Sequence, residues 1–268
     1  MNLHKLYYKE YYTGVNFRPL IDGGEISPTT ILEKNSQLCS KGLLYRIEKN
    51  DMVSHSLPLS IAYPGLVTGV GINHEGKIEG EFKLGVHFDW TYGMPIVYGS
   101  SVKGVLRNAF IAKVEKGKIT KYEDYYLKKI TKEEWEPEAI EILFNSIFEG
   151  KDYDGKDQEG KIKWKNKSIY DRDIFFDAVI IKADPKGRIL CSDSITPHGD
   201  NPLKNPIPIT FLKIAPGCQL EFRFKLTDTI INGVPFTATQ KLALFKEILT
   251  TVGVGAKTNV GYGQLKST

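Results

Sequence analysis

The sequence predicts an α+β fold in which helices pack against an antiparallel sheet. Three observations predict it: two segments with apolar residues at helical spacing, several apolar runs typical of strands, and turn signals between these segments. The chain has 268 residues, of which 41% are hydrophobic and 25% charged. It is therefore long enough to bury a core, and its composition is that of an ordinary globular protein.

The first predicted elements are a hairpin and a helix. Residues 60–90 contain the run LVTGVGI, the turn signal HEGK and the alternating run EGEFKLGVHFDW, which predict two paired strands. The segment YGMPIVYG follows, and then SSVKGVLRNAFIAK, in which apolar residues from Val102 to Phe110 recur at helical spacing. A strand-to-helix turn is therefore predicted before Ser100.

The middle of the chain predicts an insertion, a buried strand and a loop. From about 113 to 173 the sequence is rich in charge, which predicts helical pieces and a mobile polar stretch, EGKDYDGKDQEGK. FFDAVIIKAD is a continuous apolar run typical of a buried central strand. CSDSITPHGDNPLKNPIPITF contains too many prolines for regular structure, so we predict a long loop there.

The last predicted elements are a strand and a long helix. CQLEFRFKL alternates strictly, which predicts one apolar face and one polar face. Thr237 and Gln240 predict a capping box at the start of a helix, and Gly253 predicts its end. The order is strand, helix, strand, strand, helix, strand, with a hairpin before the first helix and an insertion after it. This order matches a ferredoxin-like βαββαβ unit.

Charge, hydropathy and cysteines narrow the class of protein. A net charge of +4 permits nucleic-acid binding without requiring it. The first twenty residues contain no apolar stretch typical of a signal peptide, and no run has the length of a membrane span, so we predict a soluble cytoplasmic protein without a membrane partner. Cys39, Cys191 and Cys218 show no C-x-x-C spacing, so we expect neither disulfides nor zinc.

The sequence also predicts no cofactor and no metal site. His87 and Asp89 would face the same way on a strand, but no third ligand lies at a suitable spacing, so we interpret both as structural. A Walker A loop would require glycines where Thr251 and Ala256 stand before Lys257. A dinucleotide fingerprint would require the glycines to open a helix, whereas these follow one.

The C-terminal segment contains four glycines in eleven residues: Gly253, Gly255, Gly261 and Gly263. This spacing suits close approach of the backbone to phosphates, because glycine can adopt positive φ and leave N–H groups exposed. The residues between the glycines that could contact a ligand are Lys257, Thr258, Asn259 and Tyr262. A capping glycine followed by a tight hairpin explains the same residues equally well.

A second candidate phosphate site is the start of the first long helix, Gly99-Ser100-Ser101. The N–H groups and the helix dipole favour an anion there, and either serine could also cap the helix. Lys103 and Arg107 are four residues apart and so share one face. A capped amphipathic helix with a solvated basic face is the alternative interpretation.

Two further candidates belong to the proline-rich loop. Arg188 precedes it and could contact a phosphate. His198 lies within it and could stack on a base or act as a general base, and a surface histidine with neither role is the alternative.

Four segments resemble the RAMP superfamily: YGSSVKGVLRNAF, FFDAVIIKADPKGRILCSDSITPHGDNP, PIPITFLKIAPGCQLEFRFKL and GVGAKTNVGYGQL. The resemblance covers roughly residues 60–268. Within the superfamily the chain is most similar to the sixth subunit of the type III-B CRISPR effector, the Cmr complex. In that group a P-G-S-S-x-K-G helix start, a D-x-x-T-P-H loop and a C-terminal glycine-rich loop occur in this order. Here Tyr98 stands where the group usually has proline.

The resemblance implies one modified RRM-like domain over residues 1–268, with an N-terminal extension 1–60 and an insertion at about 113–173. It implies a non-catalytic RNA-binding subunit that caps the effector near the 3′ end of the guide RNA in antiviral defence. The implied partners are CRISPR guide RNA, possibly target RNA, and other Cmr subunits, namely the backbone RAMP, the small helical subunit and the other capping RAMP.

The residues expected to face RNA are those that the resemblance implies, together with the candidates at the proline-rich loop. They are Gly99, Ser100, Ser101, Lys103, Arg107, Arg188, His198, Gly255, Lys257, Thr258, Asn259, Gly261, Tyr262 and Gly263. One alternative is a metal-independent guide-processing ribonuclease of the same superfamily, with His198 as general base and Lys257 stabilising the phosphorane. A purely structural assembly subunit is the other alternative.

Overall fold

A computed structural model of the chain describes residues 2–69, 74–115, 118–122, 124–196 and 208–268. The α-helices in these residues are α1 (Leu3–Tyr8), α2 (Arg18–Ile21), α3 (Thr29–Cys39), α4 (Gly99–Asn108), α5 (Tyr125–Thr131), α6 (Pro137–Phe144) and α7 (Ala238–Val252). A π-helical turn spans Asn145–Glu149, and 3₁₀ turns span Ile169–Asp171 and Thr258–Val260. None of the described helices has the length and apolar composition needed to cross a membrane.

The strands are β1 (His55–Ile61), β2 (Ile96–Val97), β3 (Ile111–Glu115), β4 (Lys118–Tyr122), β5 (Lys151–Lys156), β6 (Ile162–Asn166), β7 (Ile174–Phe175), β8 (Ala178–Lys182), β9 (Leu190–Ile195), β10 (Ile209–Ile214), β11 (Gln219–Lys225), β12 (Thr229–Ile231), β13 (Val234–Phe236) and β14 (Leu265–Ser267). The central sheet has the order β14-β1-β11-β8-β2, and β7 also pairs with β11. All of these pairings are antiparallel. The predicted combination of helices with an antiparallel sheet is confirmed.

Strand β11 lies inside the sheet, and its apolar face carries the core. Leu220, Phe222 and Phe224 are fully buried, as the alternation predicts. The Phe224 ring contacts Phe245 of α7, with ring centroids 5.3 Å apart, and Phe175 of β7, with centroids 5.8 Å apart. Burial of these aromatic rings therefore holds α7 against the sheet.

The polar face of β11 is covered as well. The Arg223 guanidinium donates to the Glu221 carboxylate at 2.8 Å and to the carbonyl oxygens of Ile47 and Glu48 at 2.6 and 2.8 Å. Lys49 approaches the same carboxylate at 3.0 Å. Glu221 and Arg223 are both buried, and residues 47–49 lie over them. The face of β11 that an open sheet would present to a ligand is therefore closed by the chain itself.

Helix α7 begins and ends where the sequence predicts. The Thr237 side chain accepts from the Gln240 amide and the Gln240 side chain from the Thr237 amide, which is the expected capping box. Gly253 follows the last turn with φ +78°, a conformation that glycine adopts without strain. Leu244, Phe245, Ile248 and Leu249 form the buried face that packs on the sheet.

The predicted hairpin over residues 60–90 is wrong in the described part of that range. Isolated bridges join Leu66 to Ile214, Val67 to Ala256 and Gly69 to Gly85, without continuous strands. The strand in this part of the chain is β1, which starts inside the segment 1–60 that was predicted to be an extension. Pro58 lies within β1, and its missing N–H makes such a run look unlike a central strand.

Two predicted loops contain regular structure. The polar stretch EGKDYDGKDQEGK contributes to a hairpin of β5 and β6, in which Tyr153 is paired with Trp164. The ends of the proline-rich loop form β9 and β10. These strands are antiparallel, with Ile195 opposite Ile209 and Leu190 opposite Ile214. Residues 197–207, including His198, lie outside the described residues.

A buried ion pair joins α7 to the end of the insertion. The Lys241 ammonium lies 2.5 Å from the Asp173 carboxylate, and neither side chain is exposed. Asp173 also accepts from the backbone amide of Thr227 at 2.8 Å. Burial lowers the pKa of Lys241, against the attraction of the carboxylate. Loss of the carboxylate would therefore leave a buried ammonium without its counter-charge.

We expect Asp173→Ala to lower the free energy of unfolding by about 3–5 kcal/mol, because it leaves the buried Lys241 ammonium without a counter-charge. Urea denaturation followed by circular dichroism measures this change. Asp171→Ala, which removes an exposed carboxylate two residues away, is the matched control and should change stability by less than about 0.5 kcal/mol. An equally small change for Asp173→Ala would contradict the assigned role of the pair.

Candidate nucleic-acid interface

A cavity of about 340 Å³, here called the helix–loop cavity, lies between α4 and the C-terminal glycine-rich loop. Ser101, Gly104 and Asn108 line it from α4, and Gly255 and Ala256 line it from the loop. The fold thus brings together the two segments in which the sequence predicts phosphate contacts, although about 150 residues separate them.

The first amide of α4 already has an acceptor. The Gly99 N–H donates to the Asp177 carboxylate at 2.7 Å. A Cβ at position 99 would lie 2.1 Å from the Phe175 carbonyl oxygen, so close backbone packing requires glycine there. The position at the N-terminus that we expected to bind phosphate is therefore occupied by a carboxylate of the same chain.

The serines at the start of α4 do not cap it. The N-cap residue is Tyr98, and Ser100 and Ser101 belong to the exposed first turn. The prediction that one of them caps the helix is wrong. Both residues are exposed, and Ser101 lines the helix–loop cavity.

The two basic residues of α4 differ in their surroundings. Arg107 donates to the Glu149 carboxylate at 2.8 and 3.2 Å and lies 5.2 Å from the Phe144 ring centroid. The Lys103 ammonium lies 6.0 Å from the Phe175 ring centroid. Gly104 separates them, and a Cβ there would meet no atom within 4 Å. Lys103 lies beside this open position. In contrast to Arg107, it is paired with no carboxylate among the described residues.

Glycines of the C-terminal loop are needed for packing within the chain. Gly255 has φ +89°, and a Cβ there would lie 2.5 Å from the Val67 carbonyl oxygen. Gly263 has φ +72°, and a Cβ there would lie 1.9 Å from the Val254 carbonyl oxygen. Hydrogen bonds from Ala256 to Val67 and from Gly263 to Gly65, both 2.8 Å, fix the loop on the segment after β1. Close packing of the backbone within the chain therefore accounts for these two glycines.

The outer part of the loop has a different character. Lys257 has φ +59° and opens the 3₁₀ turn, and Gly261 closes it with φ +95°. Within the described part of the chain, the amides of Gly255, Lys257 and Thr258 have no hydrogen-bond acceptor. Asn259 is exposed. This turn therefore presents donors and one cation directly after the residues that line the cavity.

Tyr262 lies inside the protein and presents no stacking surface. Its hydroxyl donates to the Asp193 carboxylate at 2.7 Å, and only 6% of the residue is exposed. Lys213 pairs with the same carboxylate and lies 5.5 Å from the centroid of the Tyr262 ring. Burial would raise the pKa of Asp193, but the hydrogen bonds from Lys213 and Tyr262 outweigh it and lower that pKa.

Arg188 belongs to another part of the fold. Its guanidinium donates to the Asp184 carboxylate at 2.9 and 3.2 Å, closing the turn before β9. The next residue, Ile189, donates to the carbonyl of Lys41 at 3.2 Å, which places this turn beside the N-terminal segment. Arg188 is not among the residues that line the helix–loop cavity.

His87, which the sequence pattern indicated only as structural, lines the helix–loop cavity and is a further functional candidate. Its ring stacks on Tyr98 with centroids 4.5 Å apart and an interplanar angle of 24°. Burial lowers its pKa, which favours the neutral imidazole. Its position two residues from Asp89 suggested only a metal site, and no metal-binding group of three residues exists among the described residues.

The fold and this cavity define a mixed α/β protein with an antiparallel core sheet and a surface cavity between a helix and a glycine-rich loop. The chain belongs to the RAMP superfamily, because the model of that superfamily matches residues 59–266. No curated protein matches the chain.

Three solved structures resemble the chain. A chain of the type III-B Cmr-beta bound to cognate target RNA is 19% identical, with a TM-score of 0.48, and the match covers 79% of this chain and 57% of that one. Cmr6 from Pyrococcus furiosus is 21% identical, with a TM-score of 0.43 and coverages of 82% and 100%. A chain of a type IV-B CRISPR complex is 12% identical, with a TM-score of 0.42 and coverages of 80% and 90%. The superfamily match carries the assignment.

We expect Tyr262→Phe to lower the free energy of unfolding by about 1.5 kcal/mol near pH 7, because it removes a hydrogen bond to a charged group. Asp193 has a lowered pKa in the folded state, so its contribution is complete above the usual aspartate value of 3.8 and is lost as the pH falls through the folded value. The difference between the wild type and the variant should therefore shrink at about pH 3. Urea denaturation at both pH values measures it, and an equal difference at both would contradict the assignment.

Proposed function

We propose that the fold is a modified ferredoxin-like, or RRM-like, unit. The strands β1, β8, β11 and β14 with the helices α4 and α7 follow the chain order βαββαβ. Their sheet order, β14-β1-β11-β8, alternates the two halves of such a unit, and β2 extends it at the edge. In this interpretation residues 1–268 form one domain, and residues 113–173 are an insertion between the first helix and the second strand.

We propose that the chain is a non-catalytic RNA-binding subunit of a type III-B CRISPR effector that caps the complex near the 3′ end of the guide RNA. The observation that carries the proposal is the helix–loop cavity, in which α4 and the glycine-rich loop meet. Membership of the RAMP superfamily and the order of the three motifs support it. The proposed partners are guide RNA, target RNA and the other subunits of the complex.

The chemistry of the helix–loop cavity suits an RNA backbone. The Ser101 hydroxyl and the Asn108 amide provide hydrogen bonds, and the amides of Gly255 and Lys257 provide donors. Such groups contact phosphate and ribose and carry no base sequence. The polar face of β11, where an open RRM sheet would stack bases, is closed. We therefore expect recognition by shape, with little dependence on base identity at this cavity.

Position 104 offers a sharp test of this surface. We expect Gly104→Glu to weaken the binding of single-stranded RNA by at least about tenfold, because the new carboxylate fills open space in the cavity and repels phosphate. Fluorescence anisotropy with a labelled oligoribonucleotide at two salt concentrations measures it. The wild-type affinity should fall with salt, since phosphate contacts release counterions.

Gly104→Ala is the matched control, because it adds only a Cβ where no atom lies within 4 Å. It should leave the affinity within about twofold and raise the free energy of unfolding by up to about 1 kcal/mol through helix propensity. If Gly104→Glu binds RNA as tightly as Gly104→Ala, the helix–loop cavity is not part of the RNA interface.

Cleavage of RNA is the second candidate function, because the imidazole of His87 lines the helix–loop cavity. His87 could accept a proton from a ribose hydroxyl there, and His198 is the general base in the ribonuclease alternative drawn from the sequence. We expect no discrete cleavage of CRISPR repeat RNA by the purified chain in EDTA, as judged by denaturing gel electrophoresis. Cleavage that disappears in His87→Ala or His198→Ala would overturn the non-catalytic assignment.

A further inference from the structure

An aromatic cluster adjoins the helix–loop cavity. Trp90 is 74% exposed, and its ring centroid lies 4.5 Å from that of His4 in α1. A second cavity of about 130 Å³, here called the aromatic cavity, is lined by His4, Tyr8, Phe88, Trp90 and Tyr98. An aromatic ring of this size left in water loses the free energy of burial, so its exposure beside an aromatic recess indicates a ligand surface.

The turn that presents Trp90 is well fixed. The Asp89 carboxylate accepts from the amides of Thr91 and Tyr92 at 2.9 and 2.6 Å. The Asp89 amide donates to the Met94 carbonyl at 2.8 Å, which closes the turn. Trp90 is therefore held before any ligand arrives, which lowers the entropy cost of binding.

The other walls of the aromatic cavity are also fixed. His4 is buried, and the Tyr8 ring lies 4.8 Å from it. The Tyr8 hydroxyl donates to the Val86 carbonyl at 3.3 Å, so it is already satisfied. Phe88 is 1% exposed and meets the Tyr8 ring edge-on. Burial lowers the pKa of His4, which favours the neutral form of the imidazole behind Trp90.

The two cavities share a wall. Tyr98 lines the aromatic cavity, His87 lines the helix–loop cavity, and their rings stack with centroids 4.5 Å apart. A chain whose charged backbone lies against α4 and the glycine-rich loop would thus pass directly beside the aromatic recess. A single-stranded nucleic acid suits such a surface, because it carries flat bases along a charged backbone.

We propose that Trp90 and the aromatic cavity bind an unpaired nucleobase of the single-stranded RNA whose backbone occupies the helix–loop cavity. The inference rests on the proposed RNA-binding function and extends it to a base-stacking site. The Tyr8 hydroxyl is already paired with a carbonyl, so it is not free to select a base. Stacking there is sequence-tolerant, since every base has a π-face.

The test compares two oligonucleotides of equal length on the full chain: oligouridylate and an abasic oligomer with the same backbone charge. Trp90→Ala should weaken the binding of oligouridylate by roughly five- to a hundredfold, the range for loss of one base–aromatic stack. It should leave the abasic affinity within about twofold, because the backbone contacts remain. Trp90→Phe should recover most of the lost affinity.

Tyr170→Ala is the matched control, because it removes another largely exposed aromatic ring, 75% exposed, outside both cavities. It should change neither affinity. Unchanged oligouridylate binding by Trp90→Ala, with binding still lost in Gly104→Glu, would overturn the base site and leave the RNA-binding function intact. Absence of binding by the wild type to either oligomer would overturn both. Loss of a co-purifying protein subunit in Trp90→Ala, with RNA binding unchanged, would make Trp90 a protein contact and overturn the inference.

Discussion

Two lengths of backbone meet at the C-terminal loop so closely that no side chain fits between them. Gly255 lies against the Val67 carbonyl and Gly263 against that of Val254, and amides of the loop donate to Gly65 and Val67. The contact fixes the path of the chain from the end of α7 to β14, which pairs with β1. Helix α4, which forms the other wall of the helix–loop cavity, contacts α7. The position of this wall therefore depends on the same backbone contact. Glycine is required here for the architecture, and the site is a consequence of that architecture.

The distribution of charge explains why the candidate interface lies beside the sheet. Arg223 is committed to Glu221 and to two carbonyl oxygens, which closes the polar face of β11. Arg107 and Arg188 are each paired with a carboxylate of the same chain. A salt bridge at the surface contributes little stability, so the carboxylates mainly reduce the local positive field. The net charge of +4 is modest, and the two paired arginines add little to the positive field around the helix–loop cavity.

Much of the core was predictable because its signals are local. The capping box of α7 and the strict alternation of β11 specify those elements within a few residues. Strand β1 was missed because Pro58 interrupts its pattern, and the β5–β6 hairpin because its sequence is polar and its packing comes from the pair Tyr153 and Trp164. Ser101 and Gly255 were predicted to face RNA, and both line the helix–loop cavity. The burial of Tyr262 depends on Asp193, about 70 residues away, which no local pattern indicates.

The N-terminal segment is more than an extension. The superfamily model begins at residue 59, inside β1, so it leaves out α1 and the segment that closes the polar face of β11. Through His4 and Tyr8, α1 supplies two walls of the aromatic cavity. The helix–loop cavity, by contrast, is lined entirely by residues within the matched range. The surface therefore combines the helix–loop cavity, which lies in the superfamily domain, with the aromatic cavity, which needs residues outside it.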